Sequence, residues 1–306
     1  MKKVYARLRL NEEQKRRLES ISDQYQFVYE AQEDINILIG SCSPARLRQF
    51  KNLEWLQSSA VGVDAYMKKG VLPENCILTN AVGVHSREVA EHILAELLMM
   101  VKKLHRYGNN QKKHIWRDEG QVKQISELRV CIVGFGDIGR TLAEMLKALG
   151  VHVIGVKRKP IEKPDCLDEL YLEEDLEKAI SDADVIVTVL PGNKANVHLF
   201  TADTFRKMRP DAILINAGRG SLFSTETLRE VLDQHIIAGI GADVFEQEPL
   251  PADSDLWDEE ELFITPHAAG NYHLDSAYEE FLQLVEENLR RYAAGEPLLH
   301  VVTERE

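Results

Sequence analysis

The chain has 306 residues, of which 44% are hydrophobic and 28% are charged, the balance of a soluble globular protein long enough for two domains. Its formal net charge of −13 argues against nucleic acid as a partner, because nucleic-acid binders carry basic patches. It argues equally against an anionic membrane surface. We therefore expect no nucleic-acid and no membrane partner, and an anionic ligand would need a few well-placed cations.

The four cysteines are unlike those of a metal or disulfide site. Cys42, Cys76, Cys131 and Cys166 form no C-x-x-C pair and have no His at metal-ligand spacing. This usage is typical of a reducing compartment. No apolar core of a signal peptide follows the N-terminal lysines, and no apolar stretch reaches the ~18 residues of a membrane span. We expect a cytoplasmic protein without a metal.

The first hundred residues mix short apolar runs with helical patterns. Residues 35–39 are typical of a buried strand, and residues 53–57 lead into a turn-rich segment at 58–64. Residues 89–104 predict a helix whose apolar positions cover more than one stripe. Such a helix is either a core helix or one that bridges two domains or two subunits.

A different pattern begins after the polar stretch 108–124. Residues 128–133 predict a strand, 140–149 a helix and 151–156 a second strand, which together form a βαβ unit. Further apolar strands are predicted at 185–190, 212–216, 237–244 and 262–265, separated by helical segments. This alternation predicts a parallel sheet covered on both faces. The last segment, 277–292, predicts an amphipathic helix that returns to the N-terminal domain.

A glycine-rich turn joins the first strand of this unit to its helix. Gly134 permits the tight turn, Gly136 lets the backbone approach a pyrophosphate, and Gly139 lets the helix pack on the strand. The helix N-terminus then offers free N–H groups to phosphate. The motif therefore predicts a dinucleotide site; the alternatives are a turn without a ligand and a methyltransferase.

The second strand ends in three cations. Where an NAD-binding unit usually places an acidic residue on the ribose 2′-hydroxyl, the chain has Lys157, Arg158 and Lys159. Positive charge suits a 2′-phosphate, so the segment favours NADP(H), with NAD(H) as a second cofactor. The alternative is a solvated basic turn.

Polar residues also follow three later strands, where ligands of open α/β sheets bind. They are Arg219, the carboxylates Asp243 and Glu248, and His267. The fork of an Arg matches a planar substrate carboxylate. His is the usual proton donor near neutral pH, and a neighbouring carboxylate would orient it and stabilise its protonated form. The set fits hydride transfer to a 2-oxo acid, although each residue alone also has a structural explanation.

These motifs, in their order, resemble those of the D-isomer-specific 2-hydroxyacid dehydrogenase family. They are VGFGDIGR at 133–140, INAGRG at 215–220, GADVFEQEPLP at 241–251 and TPHAAG at 265–270, preceded by WLQSSAVGVD at 55–64 and TNAVGV at 79–84. The resemblance implies reduction of a small 2-oxo acid to the D-2-hydroxy acid, and the reverse. The cations at 157–159 resemble the NADP-preferring glyoxylate/hydroxypyruvate reductase branch.

The resemblance also implies roles for individual residues. Arg219 would bind substrate and take part in catalysis, and Asp243 would hold the nicotinamide carboxamide. His267 would be the acid/base, with Glu248 as its partner, and would also contact substrate and cofactor. The backbone at Val61 and Gly62 would bind the substrate carboxylate. The remaining cofactor contacts would come from Asp137, Ile138, Leu190, Pro191, Asn216, Ala217, Gly218 and Gly270. Asn193 and Asn196 stand where the family more often has Thr, which leaves the contacts there open.

The implied architecture is α/β, with two Rossmann-like domains, two doubly wound parallel sheets and the active site in the cleft between the domains. We expect a substrate-binding domain at 1–98, completed by 278–306, and a dinucleotide-binding domain at 99–277. The family also implies a homodimer. The alternative function is a non-enzymatic nucleotide sensor similar to the C-terminal-binding-protein corepressors, which share this fold.

Overall fold

The computed structural model describes residues 1–270, 272 and 274–303. The chain divides into two compact units, the first made of residues 1–85 and 272–306 and the second of residues 86–271. The boundaries expected from the sequence, at 98/99 and 277/278, differ from these because both fall inside helices that belong wholly to one unit. Residues 271, 273 and 304–306, which the expected domains include, lie outside the described residues.

The first unit is built on a five-stranded parallel sheet. Its elements up to residue 85 are β1 (Lys2–Ala6), α1 (Glu12–Glu19), β2 (Tyr25–Val28), β3 (Ile37–Ile39), α2 (Pro44–Leu47), β4 (Trp55–Gln57), α3 (Asp64–Met67) and β5 (Ile77–Thr79). The strand order β2-β1-β3-β4-β5 is that of a flavodoxin-like, doubly wound sheet. All three residues of β3 and of β4 are buried, as expected for strands covered on both faces.

The second unit is built on a seven-stranded parallel sheet. Its elements are α4 (Ser86–Val101), α5 (Leu104–Lys112), β6 (Arg129–Val133), α6 (Asp137–Ala148), β7 (His152–Lys157), β8 (Glu169–Leu172), α7 (Leu176–Ile180), β9 (Val185–Thr188), α8 (Ala202–Arg206), β10 (Ile213–Asn216), α9 (Thr225–Asp233), β11 (Gly239–Ala242) and β12 (Leu262–Ile264). The order β8-β7-β6-β9-β10-β11-β12 is the dinucleotide-binding order with one added strand. The α/β class with two doubly wound parallel sheets is thus confirmed.

Helix α4 opens the second unit and packs against α6, β10 and β11. Its buried face includes Ala90, Ile93 and Leu97, which join the core formed by the strands and α6. The single helix predicted at 89–104 ends at Val101, because Lys103 adopts a left-handed conformation with φ of 56° and α5 begins at the next residue.

The last helix, α10 (Asp275–Ala294), packs on the first unit. Phe281, Val285 and Leu289 join the core that contains Trp55. The amide of Asn288 donates to Oε1 of Gln57 over 2.8 Å. Among the described residues, no helix combines the length and the apolar character that crossing a bilayer requires.

Candidate active site

The glycine-rich turn lies where the strand order of the second sheet reverses, between β6 and β9. Gly134 has a φ of 98°, and a Cβ there would stand 3.0 Å from the backbone of Val189, so a side chain is excluded. A Cβ on Gly136 would meet nothing closer than 4.0 Å. Gly136 directly precedes α6, and the first N–H groups of that helix have no partner inside it. The turn therefore has the space and the donors that a pyrophosphate requires.

A cavity of about 360 Å³ opens at this turn. Several of the predicted cofactor contacts line it: Gly134, Gly136, Lys157, Arg158, Lys159, Leu190 and Pro191. Asn193 and Asn196, whose contacts the sequence left open, line it as well. Phe135 and Glu173 also line it and were not predicted. Glu173 follows β8, a short strand at the sheet edge that the apolar pattern did not reveal.

The three cations at the end of β7 differ in their surroundings. Lys157 is partly buried, and its Nζ donates to the carbonyl oxygen of Phe135 over 2.8 Å. Arg158 and Lys159 are exposed and form no ion pair with any residue that the structure describes. Lys157 thus fastens the glycine-rich turn to β7, while the other two cations can attract a phosphate. The cavity and the donors together fit a nicotinamide dinucleotide.

Arg219 lies in a loop held on both sides by glycines. A Cβ on Gly218 would stand 2.7 Å from the nitrogen of Leu190, and one on Gly220 would overlap the backbone of Phe245. Asn216, fully buried at the end of β10, accepts from the N–H of Gly218 over 3.2 Å and donates to the carbonyl oxygen of Arg219 over 3.1 Å. The loop therefore presents Arg219, which is half-buried, from a fixed backbone.

His267 and Glu248 form the pair that the sequence suggested. Nδ1 of His267 lies 2.7 Å from Oε2 of Glu248, and Oε1 of Glu248 accepts from the N–H of Phe245 over 2.9 Å. His267 has a left-handed backbone with φ of 52°, and its N–H donates to the carbonyl oxygen of Asp243 over 2.7 Å. Glu248 thus fixes the imidazole through Nδ1, so a proton for a substrate would be carried by Nε2.

Asp243 is the polar residue around which this loop is organised. It is 2% exposed, and its carboxylate accepts from the hydroxyl of Thr265 over 2.6 Å and from the N–H groups of Ala268 and Ala269 over 2.7 and 3.1 Å. Its backbone carbonyl binds His267. One buried carboxylate therefore positions the segment from Thr265 to Ala269. The predicted contact Gly270 directly follows this segment.

Sequence reasoning missed a polar cluster behind Asp243. Glu96, 3% exposed on α4, places Oε1 3.4 Å from both Nε2 of His92 and Oγ1 of Thr265. Nε2 of His92 lies 3.2 Å from the same Thr265 oxygen. Hydrogen bonding to Glu96 raises the pKa of His92, and burial raises the pKa of Glu96. The signal in the sequence that could have revealed this cluster is Glu96 itself, a charged residue among the apolar positions of α4.

Val61 and Gly62 lie in the first unit, after β4 and before α3. Both are partly exposed. The carbonyl oxygen of Val61 accepts from the amide of Asn80 over 3.0 Å, whereas neither backbone N–H donates to any described residue. Two such neighbouring N–H groups are suitable donors for a carboxylate.

The other predicted contacts occupy the same edge of the second sheet. Asp137 and Ile138 are the first residues of α6, and Ala217 follows β10, where its N–H donates to the carbonyl oxygen of Thr188. Within the described residues, no group of three or more His, Cys, Asp or Glu side chains could hold a metal ion. The chemistry available here is proton transfer, anion binding and nucleotide binding.

Comparisons with known proteins show the family to which the chain is similar. Residues 94–269 match the model of the D-isomer specific 2-hydroxyacid dehydrogenase NAD binding domain. The chain is 30% identical over 259 residues to a glyoxylate reductase of Thermococcus litoralis, covering 82% of this chain and 77% of that protein.

Two solved structures extend the similarity over nearly the whole chain. A D-isomer specific 2-hydroxyacid dehydrogenase family protein from Aeromonas salmonicida is 30% identical with a TM-score of 0.85, and 98% of each chain is covered. An NADPH-dependent glyoxylate/hydroxypyruvate reductase from Sinorhizobium meliloti, solved with NADP and sulfate, is 26% identical with a TM-score of 0.84, covering 99% of this chain and 98% of that one. From the matched domain and these likenesses, the chain belongs to the D-isomer-specific 2-hydroxyacid dehydrogenase family.

Proposed function

We propose that the protein reduces a small 2-oxo acid to the D-2-hydroxy acid at the expense of NADPH, and catalyses the reverse reaction. The observation that supports this most is the convergence of three groups at one edge of the second sheet: Arg219, the His267–Glu248 pair and the loop held by Asp243. An anion-binding group, a proton donor and a cofactor-positioning carboxylate are the parts that this reaction needs.

Each residue has a distinct role in the proposal. Arg219 pairs with the substrate carboxylate. Reduced nicotinamide, when bound, supplies the hydride for the carbonyl carbon. Nε2 of His267 delivers the proton to the carbonyl oxygen, and Glu248 orients the imidazole and stabilises the imidazolium while it holds that proton.

The positions of the remaining groups support a cofactor role for them. Asp243 has acceptor capacity left on Oδ2, which receives one hydrogen bond from the described residues, and we assign it to the nicotinamide carboxamide. At the other end of the cofactor we assign Arg158 and Lys159 to the 2′-phosphate, because both are exposed at the cavity and neither is neutralised by a described carboxylate.

The assay is the loss of reduced-nicotinamide absorbance with purified protein and a panel of glyoxylate, hydroxypyruvate, pyruvate and branched 2-oxo acids. We expect turnover with at least one of them and a D product on chiral chromatography. An L product would refute the assigned stereochemistry. Tight NADPH binding without turnover on any member of the panel would favour the nucleotide-sensor alternative.

We further propose a homodimer that works in the cytoplasm. Cys42, Cys131 and Cys166 are free thiols, as in a reducing compartment. Ile115 and Trp116, after α5, are exposed by 42% and 104%, and large apolar side chains close together at a surface favour association. Light scattering after gel filtration should give twice the 34.8 kDa chain mass; a mass of one chain would exclude the dimer.

A further inference from the structure

The cluster behind Asp243 contains a buried charge that the proposed reaction does not use. Oε2 of Glu96 is buried and has no hydrogen-bond partner among the described residues. An isolated buried carboxylate is costly, and it persists only when a nearby charge or proton compensates it. Asp243 is a second buried carboxylate in the same place, and its effect on Glu96 is repulsive.

His92 is the compensating group in this cluster. Its Nε2 lies 3.4 Å from Oε1 of Glu96, 3.2 Å from Oγ1 of Thr265 and 3.9 Å from Oδ1 of Asp243. The charged groups that act on it are Glu96 and Glu88 on its own helix and Asp243 after β11. All three are carboxylates, so they favour the imidazolium.

The directions of the hydrogen bonds connect His92 to Asp243. The Thr265 hydroxyl has one hydrogen, and the 2.6 Å contact shows that it is donated to Asp243. Oγ1 of Thr265 can therefore only accept from His92, so that Nε2 of His92 is the protonated nitrogen. The order is His92 to Thr265 to Asp243, and Asp243 in turn receives the N–H groups of the loop that carries His267.

We propose that His92 is a positioning residue, which orients the carboxylate of Asp243 through Thr265 and so places the nicotinamide ring. Oε1 of Glu96 lies 3.4 Å from the same nitrogen of His92 and favours its protonated form. His92 acts through Thr265 and contacts neither reacting partner. The inference rests on the proposed function in one respect, the assignment of Asp243 to the carboxamide.

The test measures NADPH binding directly, by the fluorescence of the reduced nicotinamide, in the full-length protein. His92→Leu removes the donor, and Thr265→Val removes the relay with little change of shape. We expect each to raise the Kd for NADPH about 5-fold, the effect of losing about one typical hydrogen bond. The double variant should have no higher Kd than either single variant, because both changes break the same series of hydrogen bonds.

His92→Gln provides the conservative comparison, since its amide can donate to Thr265 without titrating. It should restore binding near neutral pH and remove the part of the pH dependence of the Kd that His92 contributes. In the wild type, NADPH binding should weaken as pH rises and His92 loses its proton. A control with the same substitution, His152→Gln, removes a histidine that pairs with Glu169 over 2.7 Å in the same unit and should leave the Kd unchanged.

Additive effects of His92→Leu and Thr265→Val, or a Kd that stays at the wild-type value in both, would overturn the proposal. Melting temperatures of all variants separate misfolding from misplacement; if His92→Leu fails to fold, Thr265→Val and His92→Gln still decide the question. The readout needs no substrate. Absence of turnover with 2-oxo acids would therefore count against the proposed function, while an unaltered Kd would count against the role of His92.

Discussion

At the proposed nicotinamide end of the site, Asp243 is buried and accepts three hydrogen bonds from described residues, and His92, Glu96 and Thr265 surround it. At the proposed adenosine end, Arg158 and Lys159 are exposed and form no ion pair with the described residues. One end of the same sheet edge is therefore a buried network of hydrogen bonds, and the other is a group of exposed positive charges.

The difference follows what each end must do. Hydride transfer depends on the position of the reacting atoms within a fraction of an ångström, and buried, mutually bonded groups supply that rigidity. Recognition of a 2′-phosphate depends chiefly on the sign of the charge, which exposed cations supply with little order. Substitutions at the two ends should therefore change different kinetic quantities.

The largest effect is expected from His267→Ala. Loss of the general acid should lower kcat for reduction on the order of 100-fold or more, with a far smaller change in the Kd for NADPH, because the other cofactor contacts remain. Steady-state kinetics and direct binding measure the two quantities. His152→Ala, which removes another carboxylate-paired histidine, is the control. Wild-type reduction rates in His267→Ala would show that the proton comes from elsewhere.

The next effect is expected at the other end, from Arg158→Ala. A charge-assisted hydrogen bond contributes roughly 1.5–3 kcal/mol, so kcat/KM with NADPH should fall about 10- to 100-fold through KM, while NADH kinetics stay nearly the same. Added salt should weaken NADPH binding more than NADH binding, because an exposed contact is screened. Arg206→Ala, an exposed arginine on α8 paired with Asp203, is the control.

This prediction separates the two explanations of the basic turn. If the three cations only face solvent, the wild type will use NADPH and NADH with equal kcat/KM, and Arg158→Ala will alter neither value. That result would also remove the contrast between the two ends, since no charge recognition would be left at the adenosine end.

A smaller effect is expected from Glu248→Gln. The amide oxygen can still accept from His267 and hold its ring, but it no longer stabilises the imidazolium by charge. We expect kcat to fall about 10-fold, the range of one charged hydrogen bond partly replaced. Glu248→Ala should cost more, because it leaves Nδ1 of His267 without any acceptor to hold the ring. Equal rates for the Gln and Ala variants would show that Glu248 acts by charge alone.

The sequence predicted the residues at the strand ends because the topology itself brings them together. Asn216, Asp243 and Thr265 each end or directly follow an apolar run, and parallel strands place their carboxyl ends along one edge. The sequence also predicted the glycine-rich turn. Gly134, Gly136 and Gly139 have a fixed spacing between a strand and a helix, because such a turn requires close approaches of its backbone.

The parts that escaped prediction depend on tertiary contacts between distant segments. Glu96 and Thr265 lie 169 positions apart, and nothing local to α4 shows that Glu96 faces a second carboxylate. Strand β8 has only partly buried residues, so it lacks the apolar run that marks a central strand. The sequence grouped Lys157 with Arg158 and Lys159 as candidates for phosphate binding. In the structure its Nζ instead donates to the carbonyl oxygen of Phe135, 22 positions away.

The smallest effect concerns stability, and it tests whether the network behind Asp243 is held together by a shared proton. Burial raises the pKa of Glu96 above 4.5, and hydrogen bonding to Glu96 raises the pKa of His92 above 6.5. In both cases the native state binds more protons than the unfolded state, so the stability that the cluster contributes falls as pH rises. The two groups titrate as a pair.

Glu96→Gln removes one titrating group and the charge that holds the proton on the other. Relative to this variant, the wild type should therefore lose about 1 kcal/mol of unfolding free energy between pH 5 and pH 9. Denaturant unfolding at both values measures it. Arg158→Ala should show no such shift, because Arg158 is exposed and forms no ion pair with the described residues. Parallel pH profiles for the wild type and Glu96→Gln would mean that the cluster shares no proton, and Thr265 alone would then orient Asp243.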